Sequence, residues 1–422
     1  MIERVSLFTS WRDISLFLFT SLFILFLSLL FEYQNYKEFT RFDSALVEAT
    51  VLKQYEKQNG KRTYQVLKLK DSDGITFYTT AKKSLQDMKN SRLKMEIWAK
   101  ELTFLTYLTS FYATSKILEI QENNTTKEMV NTSIASAHED KKMGNIYQAL
   151  YTAEEVDQKT QNAFSNLGVS HIVAISGFHL SILSALLYFL IKPLYGFAQG
   201  RFFPYRNSKL DIFIVVAIVL FAYTLFLDAP PSLVRSFGMF IVGFFLYDRG
   251  IKIVSMQTLF VTIILLLAFF PRLAFSLGFW LSAGGVFYIF LFLIHFKNLN
   301  IFWQMVGISV LVYLYMLPVA LYIFQNFSIY HPFSIILSML FTPFYPLSIL
   351  SHLVGFGDFC DPFLLWLMTL GEDGAKVELH LGLFLLHAAL SFAAIYSKKA
   401  MWGLTLFSTL IFIYAMQQVA EF

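Results

Sequence analysis

Residues 253–270, IVSMQTLFVTIILLLAFF, run for eighteen positions without a charged side chain. A helix needs about 20 apolar residues to cross the hydrocarbon core of a bilayer. The run 210–227, LDIFIVVAIVLFAYTLFL, carries a single charge at Asp211. Comparable runs lie near 14–30, 172–191, 233–247, 277–296, 301–324, 333–353, 379–396 and 400–418. Buried helices of a soluble protein seldom repeat at this length. The predicted fold class is therefore a polytopic α-helical membrane protein with about ten or eleven transmembrane helices. Composition agrees: of 422 residues, 56% are hydrophobic and 15% charged, against about 25% charged in soluble domains. Cys360 is the single cysteine, which excludes an intrachain disulfide and a cysteine metal cluster.

Between the first apolar run and the rest lies a polar stretch, 31–165. The segments 44–55 (SALVEATVLKQY), 62–70 (RTYQVLKLK), 75–80 (ITFYTT), 92–98 (RLKMEIW) and 111–120 (FYATSKILEI) read as strands. Asp71-Ser72-Asp73-Gly74 is a hairpin turn signal. Five short strands suit a small all-β, OB-like domain. Residues 122–165 read as a polar or interfacial helical connector, with Glu154, Glu155 and Lys159 at helical spacing. The expected order is an N-terminal anchor over 1–33, the β domain over 34–121, the connector over 122–165 and a multi-helix channel domain over 166–422. The run at 14–30 is followed by Phe31-Glu32-Tyr33 rather than a small-residue cleavage site, which favours a retained anchor. The short apolar piece 362–370 (PFLLWLMTL), flanked by Asp358, Asp361, Glu372 and Asp373, leaves the topology of 354–378 open.

Charge sets the orientation. Lys192, Arg201, Arg206 and Lys209, then Arg249 and Lys252, then Lys297 fall in alternate loops, while Arg272 is the one basic residue in the loops between them. Basic loops stay on the cytoplasmic side. With Arg4 and Arg12 also inside, residues 31–165 are expected to be extracytoplasmic.

Three segments stand out within the apolar region. In 166–183, NLGVSHIVAISGFHLSIL, a helix beginning near 166 carries His171, Ser176, Gly177 and His179 in its first turns. Polar groups at membrane depth face a cavity or a neighbouring helix, and Ser-Gly lets a second backbone come close. This is either a packing notch or the lining of a route. In 228–238, DAPPSLVRSFG, Pro230 and Pro231 form a stiff turn, and Pro231 or Ser232 opens the next helix. Arg235 then either pairs with Asp228, snorkels to the surface, or offers its planar fork to a phosphate. In 270–286, FPRLAFSLGFWLSAGGV, the small residues Gly278, Ser282, Gly284 and Gly285 favour close helix packing.

Taken together, Ser170 through His179, Pro231-Ser232-Leu233-Val234-Arg235, and Phe275 through Ser282 resemble the ComEC family of competence proteins. Its members carry an SHLLAISGLH-type segment, then PS-x-x-R, then F-S-x-G-F-x-LS, in this order. The likeness covers roughly 140–340. A strand domain after the first helix is also family-like, and there it has an OB-type fold. The resemblance implies an inner-membrane channel that passes single-stranded DNA into the cytoplasm during natural transformation. It implies membrane lipid, a periplasmic DNA receptor and a cytoplasmic motor or single-strand-binding proteins as partners, and a homo-oligomer is compatible with it. Candidate pore and motif residues are His171, Ser176, Gly177, His179, Asp228, Pro231, Ser232, Arg235, Gly278 and Ser282.

Many family members carry a metallo-β-lactamase-like domain, but this sequence has no HxHxDH cluster. Degradation of the second strand is expected to fall to another protein. Between 41 and 120 there are fourteen Lys/Arg and nine Asp/Glu, interleaved with aromatic residues. Lys61, Arg62, Tyr64, Lys68, Lys70, Lys82 and Lys83 are therefore DNA-binding candidates, although an ordinary solvated surface has the same look. Asn59-Gly60-Lys61-Arg62 is the nearest string to a phosphate-binding loop and lacks its upstream glycine and its serine or threonine. No ATPase activity, cofactor or metal is expected. The alternatives are an exporter of another polyanion, or an intramembrane hydrolase using Ser176 and His179.

Overall fold

A computed structural model describes residues 7, 8, 10–59, 62–71, 74–83, 85, 86, 88–98, 102–121 and 125–420. Two compact units emerge from the contacts: residues 10–130 with 264–277, and residues 131–263 with 278–422.

In the first unit, helix α1 (Trp11–Phe39) starts on a capping box in which the Ser10 hydroxyl accepts the Asp13 amide and the Asp13 carboxylate accepts the Ser10 amide. Its apolar side chains, Phe19, Phe23, Phe26 and Phe31 among them, are exposed, as expected of a helix meant for lipid. The strands β1 (Ser44–Asn59), β2 (Arg62–Asp71), β3 (Thr76–Ala81) and β4 (Arg92–Trp98) follow, then α2 (Phe104–Leu108), β5 (Phe111–Tyr112) and β6 (Thr114–Gln121). The turn residues Ser72 and Asp73 lie outside the described residues, and Lys61 does too. The sheet order is β5-β3-β2-β1-β4-β6, antiparallel except for β3 with β5. β3 also meets β6 through Thr79 and Ser115, whose hydroxyls are 2.7 Å apart. Alternation explains the core. Leu67 and Leu69 on β2, Phe77 on β3, and Leu93, Met95 and Ile97 on β4 are fully buried, while the residues beside them are exposed or half-buried except for Val66, which is buried as well.

Arg272 belongs to this unit as well. Its guanidinium donates to both Glu32 oxygens, at 2.8 and 2.7 Å, and lies over the Tyr107 ring. The one basic residue that interrupts the charge pattern is therefore neutralised in a two-pronged pair.

The chain continues through α3 (Thr126–Ser136), α4 (Lys141–Thr152), α5 (Gln158–Asn166), α6 (Ser170–Val173), α7 (Gly177–Phe202), α8 (Ser208–Phe226), α9 (Pro231–Asp248), α10 (Met256–Phe269), α11 (Leu277–His295) and α12 (Ile301–Phe324). After β7 (Asn326–Phe327) come α13 (Ser334–Leu353), α14 (Asp361–Leu370), β8 (Ala375–Lys376), α15 (Leu381–Tyr396) and α16 (Lys398–Ala420). Seven helices among the described residues are long and apolar enough to cross a membrane: 11–39, 177–202, 208–226, 277–295, 301–324, 331–353 and 398–420. This is fewer than the ten or eleven expected. α10 and α15 have 14 and 16 residues, about 21 and 24 Å at the helical rise. α9 has 18 residues but carries Arg235 and Asp248. α14, with 10 residues, is too short for a crossing.

The connector is more structured than its polarity suggests. α4 buries Met143, Ile146, Tyr147, Ala149 and Leu150 in the core of the second unit. Glu154 and Glu155 do not lie on a helix, contrary to expectation. α4 ends at Thr152, Ala153 turns left-handed at φ +60°, and Asp157 caps α5.

The stretch 326–374 is tied to the connector along its length. The Ser328 hydroxyl donates to the Asn166 carbonyl at 3.0 Å, and the Asn166 amide group donates to the Gly371 carbonyl at 2.8 Å. The His331 ring presses on Gly168, which has φ +70° and where a Cβ would fall 2.6 Å from the ring. Only glycine satisfies both demands. At the far end of α13, His352 lies 3.0 Å from His138. The residues just before α13 thus touch the turn between α5 and α6, and its far end touches the connector.

Candidate functional site

The first motif forms two helices rather than one. α6 stops at Val173, Ala174 and Ile175 are extended or irregular, and α7 restarts at Gly177. Ser176 causes the break. Its hydroxyl caps α7 by accepting the Phe178 amide at 3.3 Å, and its own amide donates to His179 Nδ1 at 3.2 Å. His179 thereby takes the position that Glu or Gln fills in most capping boxes. His171 is left on α6, not α7, with Nε2 3.2 Å from the Ser338 hydroxyl of α13.

Accepting through Nδ1 fixes the neutral His179 ring as an Nε2–H donor. That nitrogen is buried without a hydrogen-bond partner. The Ile172 carbonyl is nearby but outside hydrogen-bond geometry. The ring itself is fully buried, edge-on to Phe341 and Tyr345 of α13 at 5.0 and 4.8 Å.

The second motif packs directly against this break. Asp228 and Ala229 take left-handed conformations, φ +61° and +48°, ahead of Pro230. Pro231 is the first residue of α9, as expected, because the missing amide costs nothing there. The Ser232 hydroxyl donates to the Ile175 carbonyl at 2.8 Å, satisfying a group that the helix break leaves without an intrahelical partner. One turn on, the Ser236 hydroxyl donates to the Ser232 carbonyl at 2.7 Å and sits where a Gly177 Cβ would be, 2.6 Å away.

Arg235 lies on this same turn. It is 3% exposed, and its Nε finds no partner among the described residues. The ion pair with Asp228 considered from sequence does not form; Asp228 is exposed. An unpaired guanidinium in a low-dielectric site is costly. The Arg235 Nε is thus a buried donor without an acceptor among the described residues, a chemistry that favours an anion or a carbonyl.

The third motif is not brought to the first two. Gly278 is exposed and Ser282 half-buried on α11. A Cβ on Gly284 would stand 3.6 Å from the Met316 sulfur of α12, an ordinary packing contact.

Sequence reasoning missed Phe341, Tyr345 and Ser338. They lie more than 150 positions from the residues they touch, inside an apolar run that gives them no distinguishing spacing.

The β domain has its own candidate surface. Tyr78 and Tyr112 stack at 5.2 Å, and Tyr112 is 60% exposed. Burial first, then the surrounding Tyr112, Tyr78 and Tyr64 hydroxyls, raise the Tyr55 phenol above its ordinary range. Four tyrosines therefore share the outer face, with Lys68 paired in register to Tyr78. Lys68, Lys70 and Tyr64 are half-buried, and Lys82 and Lys83 are exposed beyond β3. Arg62 opens β2, but the position of its side chain is not among those described. Phe77 faces the core instead.

Residues 151–421 match the family model described as Competence protein. ComE operon protein 3 of Bacillus subtilis (strain 168) is 31% identical over 215 residues, 50% of this chain and 26% of that protein. An uncharacterised protein of Aquifex aeolicus (strain VF5) is 27% identical over 142 residues, 34% of this chain and 31% of that protein. The matches thus cover about a quarter to a third of the length of these curated relatives. No solved structure matches. The apolar helices and the family match mark a multi-pass membrane protein. With both interlocked motifs inside a match that takes in more than half of its length, the chain belongs to the competence protein family.

Proposed function

We propose that this chain forms the route by which single-stranded DNA enters the cytoplasm through the inner membrane during natural transformation. The observation that carries this reading is Arg235, buried and unpaired beside the α6–α7 break. Each nucleotide brings a negative charge, and lipid excludes it unless a polar path exists. A fork of unsatisfied donors beside two broken helix ends is suited to phosphate. In a strain lacking the gene, labelled donor DNA should reach the outer compartment and fail to enter the cytosol. Normal entry would end the proposal.

The tyrosine face of the β domain fits a stacking platform for bases, with lysines for phosphates. Strand order β1-β2-β3-β5/β6-β4, with β3 and β5 parallel, supports an OB-type barrel. Tyr112→Ala in the full chain should weaken single-strand binding roughly fivefold, the low end of a stacking contribution. Unchanged, salt-insensitive binding would remove this role.

Several contacts support the orientation and refine it. The Glu32–Arg272 pair needs the end of α1 and the loop after α10 on one face, and the charge parity puts both outside. Because the residues just before α13 are tied to the turn between α5 and α6 and its far end is tied to His138 of the connector, we read α13 and α14 as a hairpin that stays on the outer side. α15 then runs inward, which brings Lys398 and Lys399 to the cytoplasm as the charge rule asks. Cys360 should accordingly react with a membrane-impermeant maleimide added outside intact cells, and reaction only after lysis would overturn the hairpin.

An enzymatic role is disfavoured. The Ser176 hydroxyl lies 3.3 Å from His179 Nδ1, but it is engaged as a helix cap and that nitrogen also accepts the Ser176 amide. The periplasmic receptor, the cytoplasmic motor or single-strand-binding proteins, and self-association are the partners this reading calls for. Export of another polyanion would show as normal DNA entry in the deletion strain.

A further inference from the structure

Away from the motifs, four groups form one line where the connector meets α13 and α14. The Asp361 carboxylate lies 2.8 Å from His138 Nδ1. His138 Nε2 lies 3.0 Å from His352 Nε2. His352 Nδ1 lies 2.7 Å from the Ser348 carbonyl. The His138 side chain is fully buried, and that of Asp361 is 13% exposed.

Counting hydrogens decides what this line holds. A carbonyl oxygen only accepts, so His352 Nδ1 must carry a hydrogen; two lone pairs at 2.7 Å would repel. The Asp361–His138 contact needs one hydrogen and the Nε2–Nε2 contact another. Three contacts therefore need three hydrogens. A carboxylate and two neutral imidazoles bring only two. The count is the same whether the third sits as an imidazolium beside the carboxylate or on the carboxyl itself, because the line titrates as a unit.

We infer that Asp361, His138 and His352 form a binding site for a single proton, held between the connector and the α13–α14 junction. The charge balances: one proton on one carboxylate and two neutral rings makes the buried line neutral. The surroundings suit this. Tyr147 stacks flat on His138 at 4.5 Å, and the Tyr151 hydroxyl is 3.3 Å from His352 Nδ1. Asp358 and Cys360 approach from the turn before α14. None of these supplies a positive charge that would compete with the proton. A bridging metal fits less well. Tetrahedral zinc holds two imidazole nitrogens roughly 3.3 Å apart and needs further ligands, and no group of three or more His, Cys, Asp or Glu is placed for a metal among the described residues.

The sign of the linkage follows. The folded line holds one proton more than the same groups in an opened chain above the ordinary histidine range. Stability of this junction is therefore greatest near the ordinary histidine range, where the opened chain holds on average as many protons as the line, and falls as pH rises above it, until the line itself gives up its proton. Over that window the opening equilibrium should grow about tenfold per pH unit.

The test uses the full chain in lipid nanodiscs at pH 8. Nitrogen-15 spectra of labelled histidine should show one doubly protonated ring, or infrared spectra one protonated carboxyl, per chain. The signal should be missing in His138→Gln and Asp361→Asn. Hydrogen exchange of the α14 amides, corrected for intrinsic rates, should rise with pH in the native chain and lose that dependence in His138→Gln. Should either variant fail to fold, the native spectra still decide. Two neutral rings with an ionised carboxylate at pH 8 would overturn the proposal, and so would stoichiometric zinc that chelator removes together with the histidine signal.

Discussion

Arg235→Met is expected to abolish DNA uptake while leaving the fold as stable as before, or more stable. The two halves of this result come from different terms. In the resting chain Arg235 is 3% exposed with its Nε unsatisfied. Replacing a buried charge with an apolar side chain of similar volume is often neutral or stabilising, by about 1–4 kcal/mol. A residue kept for structure would show the opposite. For transport, a charge-assisted hydrogen bond to phosphate contributes about 1.5–3 kcal/mol, roughly ten- to a hundredfold for one contact. Each nucleotide that passes meets the same group, so the loss in uptake should be at least that large. Arg235→Lys keeps the charge and loses the fork, and should fall between. Thermal unfolding in nanodiscs and transformation frequency at matched protein level separate the outcomes. Full transformation by Arg235→Met would move the route elsewhere, and a matched fall in both measurements would make the arginine structural.

That residue was visible in the sequence, but its solitude was not. Proline at 230 and 231 dictates where α9 begins, and a charge one turn later is read directly from spacing. Whether Asp228 reaches it depends on two left-handed residues in the turn, which composition does not reveal. The strands were legible for a similar reason. β4 has one face against a core, so alternation is written into it, and the observed limits of β2 and β4 lie within a residue of the expected ones, whereas the expected strand 111–120 is divided into β5 and β6. The α6–α7 break was hidden because the apolar run passes through it unbroken. Only the capping geometry of Ser176, closed by a histidine in an unusual place, separates the helices. Least legible were the long-range pairs. Glu32 with Arg272 is 240 positions apart and His138 with His352 is 214. Local periodicity carries no information about such partners, so a lone histidine at the end of an apolar helix reads the same with or without one. The same blindness hid the surroundings of α13: its hydropathy is that of a span, and the ties of its flanks to Asn166, Gly168 and His138 are tertiary.

Gly177→Leu is expected to remove most folded protein, and Gly177→Ala to reduce uptake more than stability. A Cβ at 177 would stand 2.6 Å from the Ser236 hydroxyl and 3.3 Å from its Cβ. The hydroxyl cannot swing away cheaply, because it is held to the Ser232 carbonyl, and Ser232 in turn holds Ile175. Overpacking of this kind costs about 1–3 kcal/mol, against which alanine recovers at most about 1 kcal/mol of helix propensity over glycine. The alanine variant should therefore fold with a modest loss. The wedge, however, pushes on the residue next to Arg235, and the donor fork moves with the α9 backbone. Ser236→Gly supplies the discriminating partner: it removes the atoms that the new Cβ meets. In a double-mutant cycle the pair Gly177→Ala with Ser236→Gly should recover uptake, with a coupling of about 1 kcal/mol or more. Purely additive losses would mean that the two helices do not bear on each other at this point. The interlock of the first two motifs would then be a neighbour relation without mechanical consequence, and the arginine's position would have to be set by something other than the glycine notch.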